Sequence, residues 1–212
     1  KDIYDTAIYR DVIERGKIRN TNFLKMLIKA LLTSKEFSIH KFYNFIKSQG
    51  VKTSKNALYK YTDYLNDAFF VFFLRKHSLS YKKSEQSLPK IYFVDNGLLS
   101  LNGVDDKGRL LENLVFIELI RRENDIAYYQ NSLKEEVDFL IKEGKKVKQL
   151  IQVCYDISNF MTFDREKKIL IKASEEFNCS NLLLINISEE KEETINGKKI
   201  KIIPVGKWLL ER

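Results

Sequence analysis

Residues 135–155, EEVDFLIKEGKKVKQLIQVCY, contain two apolar runs joined by the charged turn Glu143-Gly144-Lys145. Two strand-length runs around a short glycine turn predict an antiparallel hairpin. Asp138 interrupts the first run, and Gln152 and Cys154 end the second. Residues two apart on a strand share a face, so Gln152 and Cys154 point the same way. The 14 positions between Asp138 and Gln152 fit a hairpin that places them side by side.

The elements around this hairpin predict a mixed sheet with helices. Residues 107–123 read as a helix with an apolar face of Leu110, Leu111, Leu114, Val115, Ile117 and Leu119. A strand at 126–130 precedes the hairpin, and a helix capped at Thr162 follows it. The apolar run 181–187 is typical of a buried parallel strand. A turn at Asn196-Gly197, a strand and a terminal helix complete an αβββαβ order with an appended strand and helix.

The first half of the chain predicts three helices and a two-stranded ribbon. Helical apolar spacing covers 21–37, 38–50 and 53–69, with caps at Thr21 or Asn20, at Ser38, and at Thr53 or Ser54. The strands 69–74 and 90–95 enclose the polar segment 76–89, which we expect to be mobile. This order is the outline of a winged helix-turn-helix, in which the third helix reads DNA.

A winged helix predicts which side chains contact DNA. The third helix and the loop before it would offer Lys52, Lys55, Asn56, Tyr59 and Lys60, and the wing would offer Lys76, His77, Lys82 and Lys83. Two other interpretations stay open. The lysines can form an ordinary solvated face, and winged helices also serve as protein-protein modules.

Composition limits the function classes. The 212 residues include 37 lysines and arginines against 29 acids, with a net charge of +8. Basic surface favours a polyanionic partner because binding releases counterions from phosphates, although such surfaces are also ordinary in thermophiles. Two cysteines without a Cys-x-x-Cys pair exclude a disulfide scaffold and a zinc finger. Short apolar stretches and no visible secretory signal predict a cytoplasmic protein without a membrane partner.

The αβββαβ order resembles the restriction-endonuclease-like core, with its PD-(D/E)xK signature and an upstream helical glutamate. The resemblance implies Glu112, Asp138 and Gln152 as catalytic Mg²⁺ ligands, with Cys154 at the place of the lysine. Magnesium prefers oxygen ligands and neutralises charge as water attacks a phosphodiester. A thiol supplies no persistent positive charge, so the implied site is degenerate. Lys167 or Lys168 on the next helix is a candidate replacement.

Simpler interpretations exist for each residue of this site. Asp138 can pair with Lys142 or Lys148 at a strand edge, and Gln152 can be a core amide satisfied by backbone groups. Glu112 can favour the first turn of its helix. Glu118 on the same helix is a competing acid without motif support.

A further resemblance covers almost the whole chain. The stretches YRDVIERGKIRN, YLNDAFFVFFL, KIYFVDNGLL, LLENLVFIEL, EVDFLI and IQVCYD are similar to the C-terminal half of archaeal and bacterial AAA-type predicted ATPases. The resemblance implies three parts. Residues 1–19 would be the tail of the ATPase lid, with Arg10 and Arg15 as phosphate sensors or ordinary helix arginines. Residues 20–100 would be the winged helix, and 101–212 the degenerate nuclease-like domain.

The implied function is a non-catalytic DNA-binding or regulatory module of an AAA-type ATPase. No GxxxxGK[ST] motif is present, so ATP would bind only in a preceding domain. The start at Lys1, without Met, also predicts a longer protein. The alternatives are a Mg²⁺-dependent DNA nuclease and a protein-interaction module that oligomerises the ATPase. The expected partners are DNA, the ATPase domain of the same protein and a second copy.

Overall fold

The computed structural model describes residues 12–14, 16, 18 and 20–211. Helices and strands are mixed, which confirms the predicted α/β class (α+β overall). In chain order the elements are α1 (Thr21–Thr33), α2 (Ile39–Ser48), α3 (Lys55–Asp67), β1 (Val71–Leu74), α4 (Tyr81–Gln86), β2 (Lys90–Phe93), α5 (Asn96–Leu101), α6 (Lys107–Arg121), β3 (Asp125–Gln130), β4 (Glu136–Glu143), β5 (Lys146–Val153), α7 (Phe160–Glu176), β6 (Leu182–Asn186), β7 (Lys191–Ile195), β8 (Lys198–Pro204) and α8 (Val205–Leu210).

The chain folds into two units. The first unit contains the described part of Lys1–Leu74 together with Leu88–Asp105, and the second contains Arg75–Ser87 with the described part of Asp106–Arg212. Most of the predicted lid tail, residues 1–19, lies outside the described residues, and Arg10 and Arg15 are not described. Across the described residues, no helix is both long enough and apolar enough to cross a membrane.

Three capped helices begin the first unit. The side chains of Asn20, Ser38 and Ser54 each accept a hydrogen bond from the backbone N–H three residues later. Such caps satisfy one of the open N–H groups at a helix start. The helices meet through aromatic rings, because Phe23 of α1 lies 6.4 Å from Phe42 of α2 and 5.5 Å from Tyr61 of α3. The antiparallel β1–β2 ribbon follows. This is the element order of a winged helix, and the winged-helix assignment stays a prediction.

The connection between β1 and β2 differs from the predicted mobile wing. Residues Arg75–Ser87 group with the second unit and contain the short helix α4, which Ser80 caps. The backbone of this segment pairs with β3. Tyr128 N–H donates to the Arg75 carbonyl (3.2 Å), and His77 N–H donates to the Tyr128 carbonyl (2.6 Å). Backbone hydrogen bonds of this kind do not depend on side-chain type, so the polar sequence did not predict the pairing with β3.

A six-stranded sheet with the order β3-β4-β5-β6-β8-β7 organises the second unit. Strands β3, β4 and β5 form an antiparallel meander, and α7 leads to β6, which is parallel to β5. Strand β8 is parallel to β6, and β7 pairs antiparallel with β8 at the edge. Both predicted hairpins are present. Gly144 (φ 60°) and Asn196-Gly197 (φ 51° and 75°) adopt the left-handed conformations that tight turns require.

Helices α6 and α7 cover opposite faces of this sheet. Phe116 of α6 packs against Phe139 of β4, with ring centroids 6.4 Å apart. Leu150 of β5 shares a hydrophobic cluster with the apolar side chains of α7. Strand β4 pairs Leu140 with Leu150, so Leu150 faces away from Phe139. Gln152, two residues after Leu150, therefore points toward α7.

Two predicted details of these helices are wrong. Helix α7 begins at Phe160 because Asn159, not Thr162, caps it, and the Asn159 side chain accepts from the Thr162 N–H (3.1 Å). The face that α6 buries also differs from the predicted apolar face, because its packing on β3 and β5 decides which side is covered. The buried residues of α6 are Leu111, Asn113, Val115, Phe116, Glu118 and Leu119, whereas Leu110, Leu114 and Ile117 are half-buried.

Candidate functional site

Asp138 and Gln152 lie side by side in the middle of the sheet. The register of β4 and β5 pairs Phe139 with Ile151, which sets Asp138 beside Gln152. The Asp138 N–H donates to Gln152 Oε1 (3.3 Å), and the Val153 N–H donates to Asp138 Oδ2 (2.9 Å). Both side chains are buried. The spacing in the sequence predicted this juxtaposition, and the structure contains it.

A third residue, Glu166 of α7, completes the site. Gln152 Nε2 donates to Glu166 Oε2 (2.6 Å), and Arg165 Nε donates to Glu166 Oε1 (3.2 Å). Glu166 is buried, whereas Arg165 is largely exposed. We call these three residues, which hydrogen bonds from the Asp138 N–H and from Gln152 Nε2 connect, the Asp138–Gln152–Glu166 network. The sequence interpretation did not include Glu166, although an acid three residues after the buried Phe163 on an apolar helix face was the available signal.

Cys154 lies at the end of β5 and is an uncharged thiol. Its N–H donates to the Ile185 carbonyl of β6 (2.9 Å), and its Sγ lies 3.4 Å from the Asp156 carbonyl. Burial, and then the negative charge of Glu166, raises the pKa of Cys154 to about 11. Cys154 therefore supplies neither a positive charge nor a reactive thiolate near pH 7.

Four side-chain oxygens of the network accept hydrogen bonds. Gln152 Oε1 accepts from backbone, Asp138 Oδ2 accepts from Val153, and both Glu166 oxygens accept from nitrogen donors. Within the described part of the chain, no three His, Cys, Asp or Glu side chains gather as a metal site would require. These hydrogen bonds compete with a magnesium ion for the oxygen lone pairs that it would bind.

The helical acids have separate surroundings. Glu112 lies half-buried on α6, which covers the sheet face opposite Gln152, and its charge acts on Arg109. Glu118 is buried and forms ion pairs with Arg121 and Arg122, each at 2.7 Å. The hydrogen bond from Arg121 is the main reason that the pKa of Glu118 is lowered. The structure thus joins two of the three proposed metal ligands and places Glu112 on the other helix.

The alternative cations have other partners. Lys167 is buried and pairs with Glu193 of β7 (2.5 Å), while Lys168 pairs with Asp164 on its own helix (2.7 Å). The edge lysines also bind elsewhere, because Lys142 pairs with Asp125 and Lys148 with Glu143. Arg165, which the sequence interpretation had not considered, is a cation that pairs with Glu166 of the network.

Helix α3 presents a polar surface. Lys52, just before it, and Asn56, Tyr59 and Lys60 on it are exposed. Lys55 is half-buried, since its ammonium lies 3.1 Å from His40 Nδ1 and over the Tyr43 ring.

The four residues predicted for the wing lie in the second unit. Lys82 and Lys83 are exposed on α4. Lys76 is half-buried, and its backbone forms an isolated parallel β-bridge with Tyr128. The backbone N–H of Lys76 donates to Ser87 Oγ (3.3 Å). His77 packs on Phe177, with ring centroids 5.2 Å apart. These residues therefore belong to a different unit from α3.

Family models match both parts of the chain. Residues 1–108 match a domain of unknown function, DUF8612. The chain belongs to the DUF8612 family. Residues 107–208 match a second domain of unknown function, DUF4143, which is found in AAA-ATPase-associated proteins. This part of the predicted ATPase resemblance is confirmed.

Two curated proteins are similar over nearly the whole chain. Uncharacterized protein MJ1544 of Methanocaldococcus jannaschii is 39% identical over 222 residues, covering 99% of this chain and 49% of that protein. An uncharacterized protein of Haemophilus influenzae is 29% identical over 215 residues, covering 99% and 51%. The chain therefore spans about half the length of the curated relatives that it matches.

One solved structure is a partial match. It is the half-complex of Thermococcus gammatolerans McrB AAA+ hexamers with bound McrC, with a TM-score of 0.37 and 13% identity over 47% of this chain and 28% of that chain. A likeness of this size supports no conclusion about the fold or function of this chain.

Proposed function

We propose that this chain is a non-catalytic, DNA-binding regulatory module of a AAA-type ATPase, and that α3 contacts the duplex. The exposed row of Lys52, Asn56, Tyr59 and Lys60 carries this proposal. Lysines neutralise phosphates, and amide and phenol groups donate to the backbone or to base edges. A capped helix with these groups on its outer side suits the major groove.

The charge of this part of the chain supports the proposal. Residues 20–74 contain eight lysines and three acids. A surplus of positive charge on a small unit attracts nucleic acid at long range and makes binding depend on salt. The winged-helix assignment of residues 20–100 is part of this proposal.

The second unit supports a regulatory role rather than a catalytic one. We propose that residues 101–212 are a degenerate restriction-endonuclease-like domain whose site has become structural. The polar groups of the Asp138–Gln152–Glu166 network form hydrogen bonds with one another. Cys154 is a neutral thiol at the position where a hydrolytic site of this type would have a lysine. The match to an AAA-ATPase-associated domain supports the ATPase of the same protein as the partner.

Binding to a fluorescein-labelled 20-base-pair duplex tests the proposal by anisotropy at low salt. We expect Lys52→Ala/Lys60→Ala to weaken binding by about tenfold or more, because the variant removes two ammonium groups that would hydrogen-bond to phosphates. Lys25→Ala/Lys29→Ala is the matched control, since it removes two exposed lysines from α1. Equal weakening by both pairs would show that binding depends only on net charge. Absence of binding at low salt would contradict the proposal.

The nuclease alternative has one favourable observation, the adjacent Asp138 and Gln152. In that alternative, Glu112, Asp138 and Gln152 would bind Mg²⁺ or Mn²⁺. We expect plasmid, single-stranded and branched DNA to stay intact with the protein and Mn²⁺. Cleavage that is abolished in Asp138→Asn would contradict the non-catalytic proposal. The asparagine keeps an acceptor for the Val153 N–H, so loss of folding does not explain such a result.

A further inference from the structure

An open cavity of about 560 Å³ lies in the second unit, beside the end of α7 and the β4–β5 turn. This volume is within the range of small-molecule sites, about 300–1,000 Å³. Its apolar wall is aromatic. The Tyr129 ring meets Phe177 edge-on with centroids 4.9 Å apart, and the His77 ring meets Phe177 in the same way at 5.2 Å.

Hydrogen bonds hold this wall in place. The Tyr129 hydroxyl donates a hydrogen bond to the Glu176 carboxylate. The backbone N–H of His77 donates to the Tyr128 carbonyl. Burial raises the pKa of Tyr129, and the bond to Glu176 raises it further. Burial, and then the charge of Lys142, lowers the pKa of His77. The wall therefore consists of uncharged rings at neutral pH, which suits stacking on a flat heterocycle.

Positive charge lines another part of the same cavity. Lys145 and Lys146 are exposed at the β4–β5 turn and belong to the lining. Gly144, with φ at 60°, lets the chain turn tightly enough to place two lysines in succession there. An aromatic surface beside ammonium groups is the combination that binds a base and its phosphate.

We propose that this cavity binds a nucleotide unit, with its base on the aromatic wall and its phosphate on Lys145 and Lys146. A free mononucleotide and one unit of a single strand share this chemistry. Glu176 lies at the same wall and can accept a hydrogen bond from an amino group of the base. The cavity belongs to the second unit, so this inference does not rest on duplex binding by α3.

The test measures binding of fluorescein-labelled ten-nucleotide oligodeoxyadenylate by anisotropy, with dAMP and inorganic phosphate as competitors. We expect Phe177→Leu to weaken binding by about tenfold, because leucine keeps apolar volume but offers no ring for stacking. Lys145→Ala/Lys146→Ala should also weaken binding and reduce its salt dependence. Since both lysines are exposed, this second variant tests the site even if Phe177→Leu folds poorly.

Two controls separate this site from general charge. Lys198→Ala/Lys199→Ala removes two lysines from the other hairpin of the same sheet, and Lys25→Ala/Lys29→Ala removes two exposed lysines from α1 of the first unit. Both should bind as the unchanged protein does. Competition by dAMP identifies a mononucleotide site, and binding of the oligonucleotide without competition by dAMP identifies a single-strand site. Absence of binding, competition by phosphate alone, or equal weakening by the control pairs would overturn the proposal.

Discussion

Gln152→Ala is expected to lower the free energy of unfolding by about 3 kcal/mol, measured by urea denaturation at pH 7. The substitution leaves the Asp138 N–H and the buried Glu166 carboxylate without their Gln152 partner. Each unsatisfied buried polar group costs about 1–3 kcal/mol, and a charged group costs more. The deleted side chain also leaves a void beside α7.

Gln149→Ala is the matched control on the same strand. The Gln149 amide donates to Asn181 in an exposed pair (3.2 Å), so its removal should change the free energy of unfolding by no more than about 0.5 kcal/mol. Both measurements should be the same in Mg²⁺ and in EDTA. Equal effects of the two substitutions, or stabilisation of the unchanged protein by Mg²⁺, would show that the network is not the closed structural unit described above.

Alkylation of Cys154 by iodoacetamide is expected to be about 100-fold slower at pH 8 than alkylation of a cysteine with the ordinary pKa of 9.0. The reason is that only the thiolate reacts. Its pKa rises from 9.0 to about 11, through burial first and then through Glu166. The rate in the folded protein should keep increasing with pH through pH 9 and beyond. Mass spectrometry of the Cys154 peptide follows this rate separately from that of Cys179.

The urea-unfolded chain is the control, and its rate should be half-maximal near pH 9 and level off about one pH unit higher. A folded-state rate that levels at the same pH would contradict the buried, neutral thiol. The raised pKa also fixes the sign of the pH effect on stability. Between about pH 9 and 11 the folded state holds a proton that the unfolded state has released, so the free energy of unfolding falls as pH rises through this range.

Hairpin 135–155 was predictable because residues close together in the sequence determine its strands and its turn. Alternation, strand length and Gly144 determine the pairing of β4 with β5, and that pairing alone brings Asp138 to Gln152. The helix caps at Asn20, Ser38 and Ser54 were predictable for the same reason, since each acts on an N–H three residues away.

The rest of the site depends on tertiary contacts. Glu166 reaches Gln152 only because α7 packs across the sheet. The spacing of apolar residues along α7 does not predict which residue of the sheet the Glu166 side chain contacts. Glu112 was transferred from the motif of a family, but the packing of Phe116 on Phe139 places its helix on the other face. The pairing of the 75–87 segment with β3 was not predicted because it rests on backbone hydrogen bonds rather than on apolar side chains.

The salt dependence of duplex binding tests the central claim most directly. The logarithm of the association constant should fall linearly with the logarithm of salt concentration for the unchanged protein. The slope should become shallower by about two units in Lys52→Ala/Lys60→Ala, because each lysine that binds a phosphate contributes about one unit. An unchanged slope in this variant, or the same change in Lys25→Ala/Lys29→Ala, would contradict a DNA-binding surface on α3.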